Sequence, residues 1–268
     1  MSAENIVSLE AHRRQRERIE LAIIGEVAWG TGTKPFLGRA SDGKMYWCKR
    51  LESDHGREAV VNEVAASIIG DRLGARVRPW NIIYVPEGLR NSMVGAGLQR
   101  YRLSGTPLFG SEALHSGTLQ QDFEVIPHVT DDSNPNQIPK LIAMWVLCNA
   151  QEDLQILVDS ADDYALWSID HGLWFDSAPY PWEFSPIDSP TGVPRIPMLR
   201  EKTPTRSWDK AIDALDRLDK TLCDVLWDAL PPEWDISESQ ANALMNYALS
   251  RKDTTRDILK RYRDKQGI

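Results

Sequence analysis

Short apolar runs bounded by turn residues fill the first part of the chain, and they predict a strand-rich lobe. The predicted strands cover residues 23–29, 35–40, 44–50, 80–85 and 93–98. Asp42-Gly43 predicts a hairpin turn between two of them. Apolar residues at helical spacing predict a core-facing helix over 58–73, which Gly74 ends as a C-terminal cap. Five strands and one helix predict a small lobe.

The remainder of the chain predicts loops followed by helices. Residues 102–115 are polar and glycine-rich, and 130–139 carry a Pro/Asn/Asp cluster typical of a surface connection. The proline-rich stretch 179–204 predicts a long loop. Helices are predicted over 141–147, 208–230, 237–249 and 253–263, the third opened by a capping box of Ser237 and Gln240. The resulting domain prediction is a charged helix over 1–22, a β-rich lobe over 23–101 and a helical lobe over 102–268.

Composition limits the classes of partner. The net charge of −8 disfavours broad, charge-driven binding of nucleic acid. Three cysteines without CxxC spacing disfavour a disulfide framework and fit a reducing compartment. The charged N-terminal segment lacks the apolar stretch of a signal peptide, and no run is long enough to span a bilayer. These features predict a cytoplasmic protein without membrane contact.

One carboxylate, one lysine and one glutamate carry the candidate chemistry. The run 166–175 predicts an apolar strand that delivers Asp170 into a glycine turn, where a carboxylate can hold a divalent cation against nucleotide phosphates. Lys49 lies in the third predicted strand and Glu63 in the following helix, so the two can pair. Considered alone, a lysine beside a hairpin is more often an exposed edge residue.

The turn Gly30-Thr31-Gly32-Thr33 predicts close approach of backbone to a ligand. It lacks the full GxGxxG pattern, so a plain hairpin turn is the alternative. Asp159, Asp162 and Asp163 lack the glycine and terminal glutamate of a calcium loop, which favours a hairpin turn between strands there.

In this order the motifs resemble the HipA-like kinase family of bacterial and phage proteins, over roughly residues 23–175. The motifs that carry the resemblance are Gly30-Thr31-Gly32-Thr33-Lys34-Pro35, Asp42-Gly43 ahead of Lys49, Asn62-Glu63 in a helix ending Arg72-Leu73-Gly74, Phe109-Gly110-Ser111, and Ile169-Asp170-His171-Gly172.

The resemblance implies an α+β, protein-kinase-like fold of two lobes, with a small antiparallel β lobe carrying one helix and a larger, mainly helical lobe. It also implies phosphorylation of a protein on serine or threonine with ATP and Mg²⁺. The glycine turn and Lys49 would then bind ATP, Glu63 would orient Lys49, and Asp170 would bind the metal. His171 would turn or pack the loop rather than act as a base.

The catalytic loop departs from the family pattern. The resemblance places Gln151 of the stretch 147–153 where the family has its aspartate, and a glutamine cannot accept a proton. Gln151 can still orient a hydroxyl, and Glu152 or Asp153 can serve as the base if the loop shifts. Gln155 or Ile156 falls at the second metal position, and isoleucine cannot ligate a cation.

Two hypotheses follow. In the first, the chain is an active HipA-like kinase in which Gln151 or Asp153 positions the acceptor hydroxyl of an unidentified protein substrate. In the second, it is a catalytically inactive pseudokinase, a regulatory or protein-interaction module in a toxin, defence or phage setting.

Overall fold

A computed structural model describes residues 18–28, 33–97, 100–121, 123–150, 154–176, 182 and 194–268. Most of the predicted N-terminal helix, residues 1–17, lies outside the described residues. The described end of that segment is not helical, because Glu20 pairs with Tyr84 in a bridge and Leu21 begins the first strand.

Ten strands are described. Their bounds are β1 Leu21–Val27, β2 Phe36–Ala40, β3 Met45–Lys49, β4 Trp80–Ile83, β5 Met93–Val94, β6 Tyr101–Arg102, β7 Leu108–Glu112, β8 Gly117–Gln121, β9 Gln155–Asp159 and β10 Ala165–Ile169. A five-stranded antiparallel sheet has the order β1-β2-β3-β7-β4. The predicted turn at Asp42-Gly43 joins β2 and β3, with φ of Gly43 at 83°. The small antiparallel β lobe expected from the sequence is therefore confirmed.

The fifth strand of this sheet is not the one predicted. The described part of the strand predicted over 93–98, residues 93–97, contributes only β5, which pairs with β6 in a separate two-stranded ribbon. The expected loop over 102–115 instead contains β7, which lies between β3 and β4. The sheet thus extends past residue 101, where the sequence put the end of the lobe; the division into lobes itself stays a prediction.

Gly110 explains why β7 was missed. Glycine weakens a strand prediction, but here the two neighbouring strands approach too closely for a side chain. A Cβ at Gly110 would lie 2.6 Å from Cγ1 of Ile83 and 3.2 Å from Cβ of Tyr46. Gly110 lowers the strand propensity of this segment, but its lack of a side chain is also what allows β7 to pack between β3 and β4.

Six helices are described, and all but the first belong to the second half of the chain. Their bounds are α1 Gly56–Leu73, α2 Asn134–Leu147, α3 Thr205–Ala214, α4 Thr221–Ala229, α5 Glu238–Ser250 and α6 Lys252–Gln266. Gly74 ends α1 in the left-handed conformation and Ser237 with Gln240 forms the capping box of α5, as predicted. A second antiparallel sheet, β10-β9-β8, accompanies α2, and the turn between β9 and β10 confirms the predicted hairpin.

Two predicted helix boundaries were wrong. Asn134 already begins α2 inside the expected connection 130–139, because Pro135 falls in the first turn, where the missing N–H costs nothing. The single helix expected over 208–230 is broken between α3 and α4. Leu218 is extended there, and a carboxylate oxygen of Asp219 accepts from the backbone N–H of Thr221 at 3.0 Å, a local bond that competes with helix.

Two apolar cores hold these layers. One fills the space between the five-stranded sheet, α1 and the helices, and the other lies on the opposite face of the sheet. Cys48, Cys148 and Cys223 are free and buried. Among the described residues no helix is both long and apolar enough to cross a bilayer.

Candidate functional site

Lys49 is the last residue of β3 and lies in the interior of the sheet rather than at its edge. It pairs with Phe109 of β7, while Cys48 before it points into the opposite core. Only 11% of its side chain is exposed. The alternative that Lys49 is an exposed edge residue is therefore wrong.

Two carboxylates meet the ammonium group of Lys49. One oxygen of Glu63, in α1, accepts a hydrogen bond from Nζ, and Oδ1 of Asp170 accepts another at 2.5 Å. The three residues come from β3, α1 and the end of β10. The structure thus brings together three of the predicted site residues, and their roles in binding stay predictions.

The two carboxylates differ in access to solvent. Glu63 has 3% of its side chain exposed and Asp170 has 35%. Asp170 follows β10 in the left-handed conformation, with φ of 58°, which is uncommon for a residue with a side chain and turns it away from the strand. Glu63 is therefore a fixed internal partner of Lys49, whereas Asp170 can reach a ligand from solvent.

Helix α1 also holds the loop that follows Asp170. The amide of Asn62 donates to the backbone oxygens of Gly172 and Trp174 at 2.8 and 3.1 Å. A Cβ at Gly172 would lie 3.2 Å from the carbonyl oxygen of Ala59. The loop and the helix therefore touch backbone to backbone, which fixes Asp170 relative to Glu63.

The ion pairs set the charge states of the cluster. Burial would lower the pKa of Lys49, but the charges of Asp170 and Glu63 outweigh it and raise the pKa above 10.5. Burial would likewise raise the pKa of Glu63, but Lys49 and His171 bring it well below its ordinary 4.5. Lys49 is thus positive and Glu63 negative at neutral pH.

This cluster fits a phosphate ligand accompanied by a divalent cation. One ammonium faces two carboxylates, so the three side chains leave an excess negative charge that a cation at Asp170 would neutralise. Within the described residues no group of three or more His, Cys, Asp or Glu side chains is arranged to hold a metal by itself. A single carboxylate suits Mg²⁺, which takes its other ligands from water and substrate phosphates.

A buried polar network holds the start of the predicted catalytic loop. Asn149, in the left-handed conformation with φ of 49°, donates to Asp176 and, at 2.9 Å, to the hydroxyl of Tyr247. The guanidinium of Arg251 donates to Val146 and Asn149 at 2.9 and 3.2 Å. These contacts tie the start of this loop to the end of the Asp170 loop.

Several predicted site residues lie outside the described residues. They are Gly30, Thr31 and Gly32 of the glycine turn and Gln151 and Asp153 of the catalytic loop. Thr33, the last residue of the turn, is described and is buried just ahead of β2. Of the two residues expected at the second metal position, Ile156 has 0% exposure and belongs to the apolar core, whereas Gln155, which begins β9, is half-buried.

The supporting residues of the site were not identified from the sequence. Asn62 stood within a motif but had no assigned role, and Asn149, Asp176, Tyr247 and Arg251 lie far apart in the chain. Their one shared property is burial of a polar side chain, which a single sequence does not reveal. Such residues are found only when the tertiary contacts are known.

A small antiparallel sheet with one helix, a helical lobe, and a lysine held by a helix glutamate opposite a loop aspartate together define a protein-kinase-like fold. Residues 21–144 match the family model described as HipA-like kinase. This match confirms the resemblance over that part of the chain, which includes Lys49 and Glu63 and ends before Asp170.

Solved structures confirm the fold over nearly the whole chain. The Golgi casein kinase has a TM-score of 0.53 at 10% identity, covering 99% of this chain and 79% of its own. The same kinase with Mn/ADP bound gives 0.51 at 10% identity, covering 95% and 76%. Hydra Fam20 with sugar gives 0.50 at 9% identity, covering 95% and 90%. No curated protein matches the chain.

Proposed function

We propose that this chain binds ATP with Mg²⁺ at the cluster of Lys49, Glu63 and Asp170. The observation that carries the proposal is the convergence of one buried ammonium with one buried and one accessible carboxylate. Asp170 would hold the metal, Lys49 would contact the phosphates, and Glu63 would keep the ammonium of Lys49 oriented. Mg²⁺ would supply neutralisation of the phosphate charge.

The nucleotide part of the proposal has support from the fold. One solved structure of this fold holds Mn and ADP. The glycine turn 30–33 stands directly before β2, at the point where a phosphate-binding turn would precede the lysine strand.

The activity proposed first is transfer of the γ-phosphoryl group of ATP to a serine or threonine hydroxyl of a protein, which rests on the HipA-like resemblance. Gln151 orients the acceptor hydroxyl, or Asp153 takes its proton. Because glutamine cannot act as a base, transfer by the Gln151 route lacks general-base assistance of roughly 10²–10⁴-fold.

A pseudokinase is the second candidate, and one observation favours it. Ile156, one of the two residues at the position expected for a second metal ligand, is wholly buried, and the other is the amide Gln155 rather than a carboxylate. In this case a bound nucleotide stabilises one conformation of the chain, and the helical lobe presents a surface to a protein partner.

Calorimetric titration with a non-hydrolysable ATP analogue, with and without Mg²⁺, tests the binding site. We expect binding that depends on Mg²⁺ and that Asp170→Asn abolishes. Asp162→Asn is the matched control, because it removes the same charge from the exposed turn at the other end of β10. No binding of the analogue at millimolar concentration would overturn the proposed site.

Transfer is tested separately with radiolabelled ATP and the purified chain plus a mixture of candidate protein acceptors. We expect Gln151→Asp to raise the rate and Asp153→Asn to lower it. Binding without transfer in the wild type and in Gln151→Asp would favour the pseudokinase.

A further inference from the structure

His171, the residue after the metal aspartate, is almost wholly buried and is placed between two polar groups. Its Nδ1 lies 3.3 Å from Oε2 of Glu63, within ion-pair distance but outside hydrogen-bond geometry, and its Nε2 lies 3.1 Å from the hydroxyl oxygen of Ser168. Only 4% of its side chain is exposed. The ring therefore joins the second oxygen of Glu63 to the end of strand β10.

The hydrogen-bond direction between Ser168 and His171 depends on which ring nitrogen carries the proton. The indole N–H of Trp145 can only donate, and it does so to the hydroxyl oxygen of Ser168 at 3.2 Å. That oxygen has a second lone pair, so the hydroxyl can either donate to Nε2 of His171 or accept from it. When the hydroxyl donates, the neutral ring carries its proton at Nδ1, on the side of Glu63.

The ring has little freedom to turn away. It packs against Trp174, with the ring centroids 4.4 Å apart, and Trp174 is itself held through its backbone oxygen by Asn62. The close approach of Gly172 to α1 keeps the whole loop against the helix that carries Glu63.

We propose that His171 is a positioning residue, which holds the Glu63 carboxylate through Nδ1–H and thereby fixes the ammonium of Lys49 for the phosphates of a nucleotide. The part that concerns phosphates rests on the proposed function. Glu63 uses one oxygen for Lys49 and the other for His171, so its carboxylate cannot rotate without losing one of two contacts. His171 is thus more than a packing residue of the turn.

The first test needs no ligand. Nitrogen-15 NMR of the imidazoles in the free, wild-type protein reports which ring nitrogen carries the proton, and the His171 signal is assigned by its absence from His171→Phe or His171→Asn. We expect the Nδ1–H form, with Nε2 as the acceptor. An Nε2–H form would overturn the proposal, because Nδ1 would then have no proton to offer Glu63.

The second test compares two substitutions of His171 by the reactivity of Lys49. Asparagine places an amide N–H close to the position of Nδ1, whereas phenylalanine keeps a ring of similar size with no donor. Acetylation by acetic anhydride, followed by mass spectrometry, should be about tenfold faster at Lys49 in His171→Phe than in the wild type, and near the wild-type rate in His171→Asn. Lys44, exposed just ahead of β3, is the internal reference.

The third test measures how much of the affinity for a nucleotide depends on its phosphates. The affinity for the magnesium ATP analogue should fall about tenfold in His171→Phe and be largely restored in His171→Asn, while the affinity for adenosine stays unchanged in both. A merely structural role would weaken both ligands together, or neither. If the wild type binds no nucleotide, the proposed function fails, and the NMR and acetylation results still decide whether His171 holds Glu63.

Discussion

The ammonium nitrogen of Lys49 lies 2.5 Å from Oδ1 of Asp170, although 121 positions separate the two residues in the chain. Lys49 belongs to the small sheet and Asp170 to the loop after β10. The ammonium group of Lys49 therefore links the sheet to the loop after β10, the two parts that would enclose a nucleotide. Replacing Lys49 should lower the stability of the fold as well as the affinity for a nucleotide.

Lys49→Met leaves Glu63 buried beside Asp170 with no cation between them. Removing one partner of a buried ion pair is costly, and because Asp170 reaches solvent we expect the lower end of the range, a loss of about 3 kcal/mol in the free energy of unfolding. Urea denaturation at neutral pH measures it. Lys44→Met, just ahead of the same strand, loses only an exposed ion pair with Glu112 and should change stability little. Equal stability of the two variants would contradict the prediction.

Glu63 should make the fold sensitive to acid. Its pKa is lowered in the folded state, so its ionised form stabilises the protein above pH 4.5 and that contribution is lost progressively as the pH falls below it. The free energy of unfolding of the wild type should fall by up to about 1.4 kcal/mol per pH unit more than that of Glu63→Gln below pH 4.5. Urea denaturation between pH 3 and 7 compares them. Parallel profiles would show that Glu63 is not the group responsible.

Gly172→Ala should push the Asp170 loop away from α1. The new Cβ would lie 3.2 Å from the carbonyl oxygen and 3.3 Å from the Cβ of Ala59, and neither belongs to a flexible side chain. We expect a loss of about 1–3 kcal/mol, seen as a lower midpoint of thermal unfolding. Gly88→Ala is the control, since a Cβ there would meet nothing within 4 Å. The prediction fails if both variants melt with the wild type.

Asn62→Leu should loosen the same loop without placing anything in its way. The substitution removes donors from two buried backbone oxygens, those of Gly172 and Trp174. Hydrogen exchange of the amides over 172–176 should become about tenfold faster than in the wild type. Asn81→Leu, which loses one bond to the hydroxyl of Tyr46 in the small lobe, should leave these amides unchanged. Equal protection in both variants would mean that Asn62 does not anchor the loop.

Local signals predicted the parts of the fold that short segments specify. Asp42-Gly43 predicts a tight hairpin, and the apolar spacing before Gly74 predicts a core-facing helix, from the local sequence alone. Strand β7 escaped prediction because Gly110 is explained only by its neighbours Ile83 and Tyr46. The helix breaks at Leu218 because the side chain of Asp219 accepts a hydrogen bond from a backbone N–H, which competes with helical hydrogen bonding. The spacing of apolar residues does not reveal such a bond.

The same distinction applies to the candidate site. Lys49, Glu63 and Asp170 were identified because each stands in a recognisable motif, but their meeting at one nitrogen depends on how α1 packs against the loop after β10. The partners of His171 could not be inferred, since Ser168 and Trp145 reach it only through tertiary contact. Residues that act through other residues leave no trace in the spacing of a single sequence.

The support that Arg251 gives to the candidate site comes from a part of the chain that is synthesised late. This buried guanidinium, at the junction of α5 and α6, donates to Val146 and Asn149, more than a hundred positions earlier. A growing chain on the ribosome can form the sheet and pair Lys49 with Glu63 well before Arg251 emerges. The bonds from Arg251 to Val146 and Asn149 form only after Arg251 has emerged, so a chain translated as far as Asp170 would carry the lysine and the aspartate without this support for the end of α2.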